Sequence, residues 1–348
     1  MEYSVRRSET AEEAVVGVWT RNLDGRRDWW ARFAWFYREN PSGQGCAFVL
    51  ESNGAGTTEV VGGAGLGTRT FFHRGKPLKA MINADFAVDA AHRTLLPALR
   101  LQRAIREHAR GVAHFAYGFP NDSAVGVFRR LGYREVGRMT RYVLLLRHET
   151  YLERFVPRAL AHWGGWALDG LRRGPELARR ARTPSTRRLE WLPEADDRFD
   201  RLWQEASPQY ALLGDRSAAF LRWRYARRPG NRSEIAGLLD TSGELRAYAV
   251  VTEPEAGLAR IEDFLASPEA ELGHLLDRLV PELRARRLLR VEVPFLGTRR
   301  VGRVLEAHGL APREAKCVVF DPGESPSPDA RLYGDSENWY LTLADEDT

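Results

Sequence analysis

The sequence predicts an α/β protein of two similar units in tandem, each a mixed, mostly antiparallel sheet flanked by helices. Three observations predict it. Strands that alternate like a meander come first, then strand–helix–strand–helix, an order that lays helices over both faces of one twisted sheet. A weak repeat follows: Asp85-Phe86 in NADFAVDA is echoed by Asp263-Phe264 in RIEDFLAS, with Gly132 47 positions after the first Asp and Gly309 46 after the second. At 348 residues the chain can fold two domains, each with its own core.

Taken in order, Tyr3 to Arg7 reads as a strand, and Thr10 with Glu13 three residues on has the spacing of a helix capping box. An aromatic-crowded helix around Trp29 to Tyr37 is ended by Asn40-Pro41. Cys46 to Glu51 and Val60 to Phe72 read as meander strands joined by a Gly-rich turn, and a bend at Arg74-Gly75-Lys76 leads to a long strand at Ala80 to Val88. Alternation puts Phe86 and Val88 on one face of that strand and Asp85 and Ala87 on the other. A loop with His92 and Arg93 then opens a helix at Pro97, whose missing N–H costs nothing in a first turn. Free N–H groups at such a helix start suit a diphosphate. A strand in HFAYGFPN and a helix after Asn121 complete the unit, the helix ending on Gly132, a residue suited to a left-handed cap.

The stretch from Asn83 to Tyr133 resembles the core of the GNAT superfamily of acyl-CoA-dependent N-acyltransferases. Its loop pattern sets Arg93 at the basic position and Ala98 at the small one, with Thr94 and Leu95 between, and Asn121 where an amide meets the pantetheine arm. The resemblance implies that the backbone of Phe86, Ala87 and Val88 pairs with pantetheine, that acetyl-CoA is the co-substrate, and that an amine attacks it directly. Two positions depart from the pattern: Leu96 stands for a Gly, and Phe128 for the Tyr that often protonates the thiolate. Asp85 is the expected base and Tyr117 the expected replacement acid, with Tyr133 the other phenol in reach. His92 and His114 read as loop and structural residues, and Asp89 as serving the turn.

The second unit has no basic loop after its strand; SPEAELGHLL offers acids and no Arg, and Thr298 falls where Asn121 stands. Its run FLRWRY also resembles the second halves of tandem acyltransferases related to enzymes that build peptidoglycan bridges and surface polysaccharides. Residues 1–146 are therefore expected to form the acyl-CoA-binding domain and 188–348 a degenerate copy. Residues 147–187 form the linker between them. Ten arginines against four acids from Arg147 to Arg188, beside Trp163 and Trp166 on an apolar stripe, fit a helix pair bridging the units or a surface resting on an anionic membrane.

The net charge of +5 favours anionic ligands and speaks little for nucleic acid. Cys46 and Cys317 form no redox or metal motif, and the first residues lack a signal-peptide core, so a reducing cytoplasm is expected. A phosphate-binding GxxxxGK[ST] loop and zinc spacings are absent, and the Gly62–Gly67 run is followed by no helix that would make a dinucleotide site. The expected activity is acyl transfer, acetyl first, to a small-molecule or sugar amine, such as an amino sugar of a surface polysaccharide precursor. Two other readings stay open, a non-catalytic scaffold that kept the fold and an aminoacyl-tRNA-dependent transferase.

Overall fold

Local rules are visible at every element of the computed structural model. It describes residues 2–8, 12–54, 57–152, 156–157, 160, 163, 170, 174–179, 181, 184, 186–230, 232–324 and 332–347. The expected cap at Thr10 and about half of the amphipathic linker, Trp166 included, lie outside the described residues. In the first half, β1 (Glu2–Ser8), β2 (Cys46–Gly54), β3 (Thr57–His73) and β4 (Lys76–Val88) form an antiparallel meander, and β5 (Phe115–Gly118) adds in parallel to β4. Helices α1 (Glu12–Asn22) and α2 (Trp29–Phe33, continuing as a π-helical turn over Ala34–Arg38) pack on one face. Helices α3 (Leu95–Val112) and α4 (Asp122–Arg130) pack on the other. The third helix begins two residues before Pro97, and Gly132 takes the left-handed conformation at φ +88° after the fourth.

The second half repeats the plan. Strands β7 (Arg188–Leu192), β9 (Ser233–Leu239), β10 (Leu245–Thr252) and β11 (Leu258–Ala266) are antiparallel neighbours, and β12 (Arg290–Gly297) joins β11 in parallel. Helices α5 (Asp197–Ala206), α6 (Ala218–Leu221, with a π-helical turn over Arg222–Ala226), α7 (Glu271–Ala285) and α8 (Arg299–Ala307) accompany them. Gly309 mirrors Gly132 at φ +83°. A π-helical turn at the same place in both halves was not legible in the sequence. There Trp35 and Trp223 stack at 4.9 Å, and each indole N–H donates to the other's backbone carbonyl, at 2.7 and 2.8 Å. That reciprocity ties the halves about a local two-fold.

The final strands exchange partners. The first half's β6 (Arg134–Leu145) pairs with β12, and the second half's β13 (Ala311–Pro322) lies between β5 and β6. Together with β8 (Leu212–Gly214) and β14 (Trp339–Leu341), fourteen strands form one continuous sheet, so the sequence repeat is not mirrored by two separate sheets. One apolar cluster runs through both halves and includes Trp19, Trp35, Trp223 and Trp339, while a smaller one fills the space beneath α3.

The Gly-rich run in β3 has a packing reason. A Cβ at Gly63 would lie 2.8 Å from Val15, at Gly67 2.5 Å from Phe36, and at Gly65 2.0 Å from the Tyr37 hydroxyl. These glycines let α1, at Gly63, and the aromatic α2 with its π-helical turn, at Gly65 and Gly67, press onto the strand.

Candidate active site

Strands β4 and β5 pair only through Ala80–Ile82 and Phe115–Tyr117, then splay. Beyond that point β4 is paired with β3 on one side alone, so its other edge offers backbone N–H and C=O groups to a ligand. A bulge sits there: between the pairs Gly63–Ala87 and Gly65–Ala84, β4 carries one extra residue, and Asp85 takes φ +52°. Asn83 stands at the fork, its Nδ2 donating 3.1 Å to the Tyr117 carbonyl.

The splay opens into two adjoining cavities. The larger, about 580 Å³, is lined by Phe86, Ala87, Val88, Arg93, Thr94, Leu95, Ala98 and Asn121, all eight residues expected to hold acyl-CoA. The smaller, about 280 Å³, contains Asp85 and shares Leu23, Phe86, Asn121 and Ala124 with the larger. Arg93 is exposed at the rim, its Nε donating 2.9 Å to the Val88 carbonyl and Nη2 3.1 Å to Asn22. Those bonds fix the loop and leave guanidinium N–H groups for an anion. Asn121 caps α4 through Oδ1 on the Ala124 N–H, 3.0 Å, which leaves its Nδ2 for a ligand. Leu96 is exposed beside the loop, not wedged into it. A diphosphate-bearing thioester therefore fits this donor set: an open strand edge, a helix start and a rim guanidinium.

The expected catalytic pair needs correction. Asp85 lines the smaller cavity, on the face of β4 opposite Phe86 as alternation predicts. Both its oxygens, however, are engaged: Oδ1 and Oδ2 accept from Arg32 at 3.2 Å, and Oδ2 accepts from the Tyr37 hydroxyl at 2.6 Å. Arg32 and Asp85 are both buried, their side chains 4% and 5% exposed. Both oxygens are thus already occupied by side chains of α2 and its π-helical turn. Tyr117 is fully buried and lines neither cavity; its hydroxyl donates 2.8 Å to the Asp345 carbonyl, and burial raises its pKa. Its hydroxyl is thus committed to the backbone of the second half. Tyr133 is likewise buried against Asn83, and the apolar Phe128 forms the cavity wall. His92 bonds Tyr3, His114 meets the Lys79 backbone at the far end of the sheet, and Asp89 is taken by Arg21 and Asn22.

The group that sequence reasoning missed is Asp347. The segment after β14 crosses from the second half into the first, its backbone gripped by buried arginines of both halves. Arg224 donates to Leu343 O at 2.7 Å, Arg69 to Ala344 O at 3.3 Å and Glu346 O at 3.4 Å, and Arg32 to Asp347 O. Arg69 is a buried cation whose pKa desolvation lowers to about 10. This places Asp347 among the residues that line the smaller cavity, with Asp85. Burial and the neighbouring Asp85 charge push its pKa up, against Arg32 and Lys316. No local signal could have found it, because Arg32 and Asp347 are 315 positions apart.

The same tail fills the corresponding fork of the second copy. There Asp263 repeats the motif, accepting from the Tyr248 hydroxyl at 2.6 Å and Arg216 at 2.9 Å. Strands β11 and β12 splay after Arg260 and Glu292, but β14 fills the gap, pairing with Leu296 and Gly297. The Tyr340 hydroxyl donates 2.8 Å to the Phe264 carbonyl, at the position matching Phe86.

Comparison with solved structures agrees with this architecture. A probable N-acyltransferase from Enterococcus faecalis superposes with a TM-score of 0.63 at 9% identity, over 93% of this chain and 73% of that one. A GCN5-related N-acetyltransferase from Anabaena variabilis gives 0.62 at 11%, over 92% and 72%. A tandem GNAT protein from the clavulanic acid biosynthesis pathway gives 0.52 at 16%, over 94% and 100%. No family model and no curated protein matches the sequence. The fold is that of the GNAT superfamily, in its tandem form. Among the described residues, no helix is long and apolar enough to cross a membrane.

Proposed function

We propose that the first unit transfers an acyl group, acetyl in the first instance, from acyl-CoA to an amine. The observation that carries the reading is the open fork between β4 and β5, lined by all eight expected residues, beside a copy of the fork that the chain itself fills. The thioester supplies an activated acyl group; the protein supplies position and a proton acceptor. The free edge of β4 would align the pantetheine arm, while Arg93 and the start of α3 would face the diphosphate. The acceptor nitrogen, entering through the smaller cavity, would give its proton to Asp347. Asp85 would act by position, holding Arg32, which grips the Asp347 backbone, and by sustaining that carboxyl's raised proton affinity.

Titration calorimetry of the full chain with acetyl-CoA tests the reading. One-site binding is expected, and Arg93→Ala should weaken it by about 1.5–3 kcal/mol, the range for a charge-assisted hydrogen bond. Absence of binding would end the proposal. The non-catalytic reading draws on one observation, that no phenol lines either cavity to protonate a thiolate. Acetyl-CoA bound but never consumed across a panel of amines would decide for it.

A further inference from the structure

Resting on the acyl-transfer reading, the smaller cavity says more about its acceptor. Its mouth carries Arg27, whose guanidinium lies over the Trp29 ring at 5.4 Å from the centroid. Among the described residues that guanidinium makes no hydrogen bond and no ion pair; burial and the nearby Arg32 cation disfavour its charge, and Asp85, Asp347 and Asp24 act on it only from a distance. Each of those acids is otherwise engaged or assigned. Asp24 takes the Arg26 backbone N–H at 3.1 Å and its Nε at 3.5 Å, Asp85 is held by Arg32 and Tyr37, and Asp347 is the proton acceptor. The arginine is held in place by its aromatic neighbour, with its forked edge left uncommitted. The cavity thus presents the acidic residues Asp85 and Asp347 together with an uncommitted guanidinium, Arg27, between the apolar walls Trp29, Phe119 and Phe128.

We propose that the acceptor is an amine bearing an anionic oxygen group, carboxylate or phosphate, with the nitrogen at Asp347 and the anion paired to Arg27. A simple amine would leave Arg27 without its partner and forgo a bidentate contact. An amino acid and a phosphorylated amino sugar are the two sources of this chemistry, and the test separates them.

The full chain is titrated with two matched pairs, phenylalanine against phenethylamine and glucosamine 6-phosphate against glucosamine, with and without saturating CoA. Binding is read by calorimetry, and thiol release from acetyl-CoA is followed in parallel. In at least one pair the anionic member should bind ten-fold or more tighter than its neutral partner. Arg27→Ala should erase that ratio and leave the affinities for acetyl-CoA and for the neutral amine unchanged, while Arg27→Lys should restore part of it. The pair that shows the ratio names the anion. Equal or tighter binding of the neutral members overturns the proposal. So does a ratio that survives Arg27→Ala, or failure of all four probes to bind at millimolar concentration. Acetyl-CoA that fails to bind counts against acyl transfer alone; an Arg27-dependent preference measured without CoA would still uphold the anionic acceptor.

Discussion

Gly65→Ala tests whether the Gly-rich strand exists to bring Tyr37 onto Asp85. The new Cβ would lie 2.0 Å from the Tyr37 hydroxyl and 2.5 Å from Cζ. Carbon contacts are comfortable only near 3.5–4.0 Å, so the ring must retreat by about 1.5 Å. It has little room, being buried, stacked on Trp19 at 5.6 Å and edge-on to Phe36 at 5.0 Å. Overpacking of this kind costs about 1–3 kcal/mol. Retreat also breaks the 2.6 Å bond to Asp85, about 1.5–3 kcal/mol for a bond to a charged group. Relief of glycine's conformational entropy returns about 0.5–1 kcal/mol. A net loss of about 2–5 kcal/mol is therefore expected, read as a lower midpoint in guanidinium unfolding at unchanged slope. Tyr37→Phe removes the clashing oxygen and should cost only the hydrogen-bond share. In the double variant the losses should fall short of their sum by more than about 0.5 kcal/mol, since the two residues touch. Wild-type stability of Gly65→Ala, or strict additivity, would refute the account.

Asp347→Asn should slow acyl transfer by about 10²–10⁴-fold, as for loss of a general base, with acetyl-CoA affinity unchanged by calorimetry. In the wild type, activity should rise with pH through an apparent pKa above the ordinary aspartate value near 3.9, and that limb should vanish in the variant. The stability sign is opposite to the usual carboxylate case. A raised folded-state pKa favours folding below the unfolded value, and the benefit is lost as pH rises through the raised one, so relative to wild type the Asn variant should gain melting temperature from acid to neutral pH. Tyr117→Phe removes the bond to Asp345 and should lower stability by about 0.5–1.5 kcal/mol while turnover stays at the wild-type level; a collapse of turnover with intact folding would return Tyr117 to the chemistry.

The sequence by itself determined the elements and their order. Alternation in NADFAVDA, the Asn121 cap and the glycines at 132 and 309 are local signals, because a dihedral preference or a buried face is written in residues a few positions apart. For the same reason the run from Phe86 to Asn121 disclosed eight residues of the larger cavity's lining: one strand edge, one loop and one helix start supply most of them, while α1 and α4 complete the wall. What the tertiary structure decided lies in contacts between distant segments. Asp85 looked like a base until Arg32 and Tyr37, some fifty positions earlier, came to rest on it. Tyr117 looked like an acid until the tail covered it. The exchange of β6 and β13, the filling of the second fork by β14 and the arrival of Asp347 depend on which surfaces bury one another. Burial is settled by the packing of the whole chain, and no spacing within a short window encodes it.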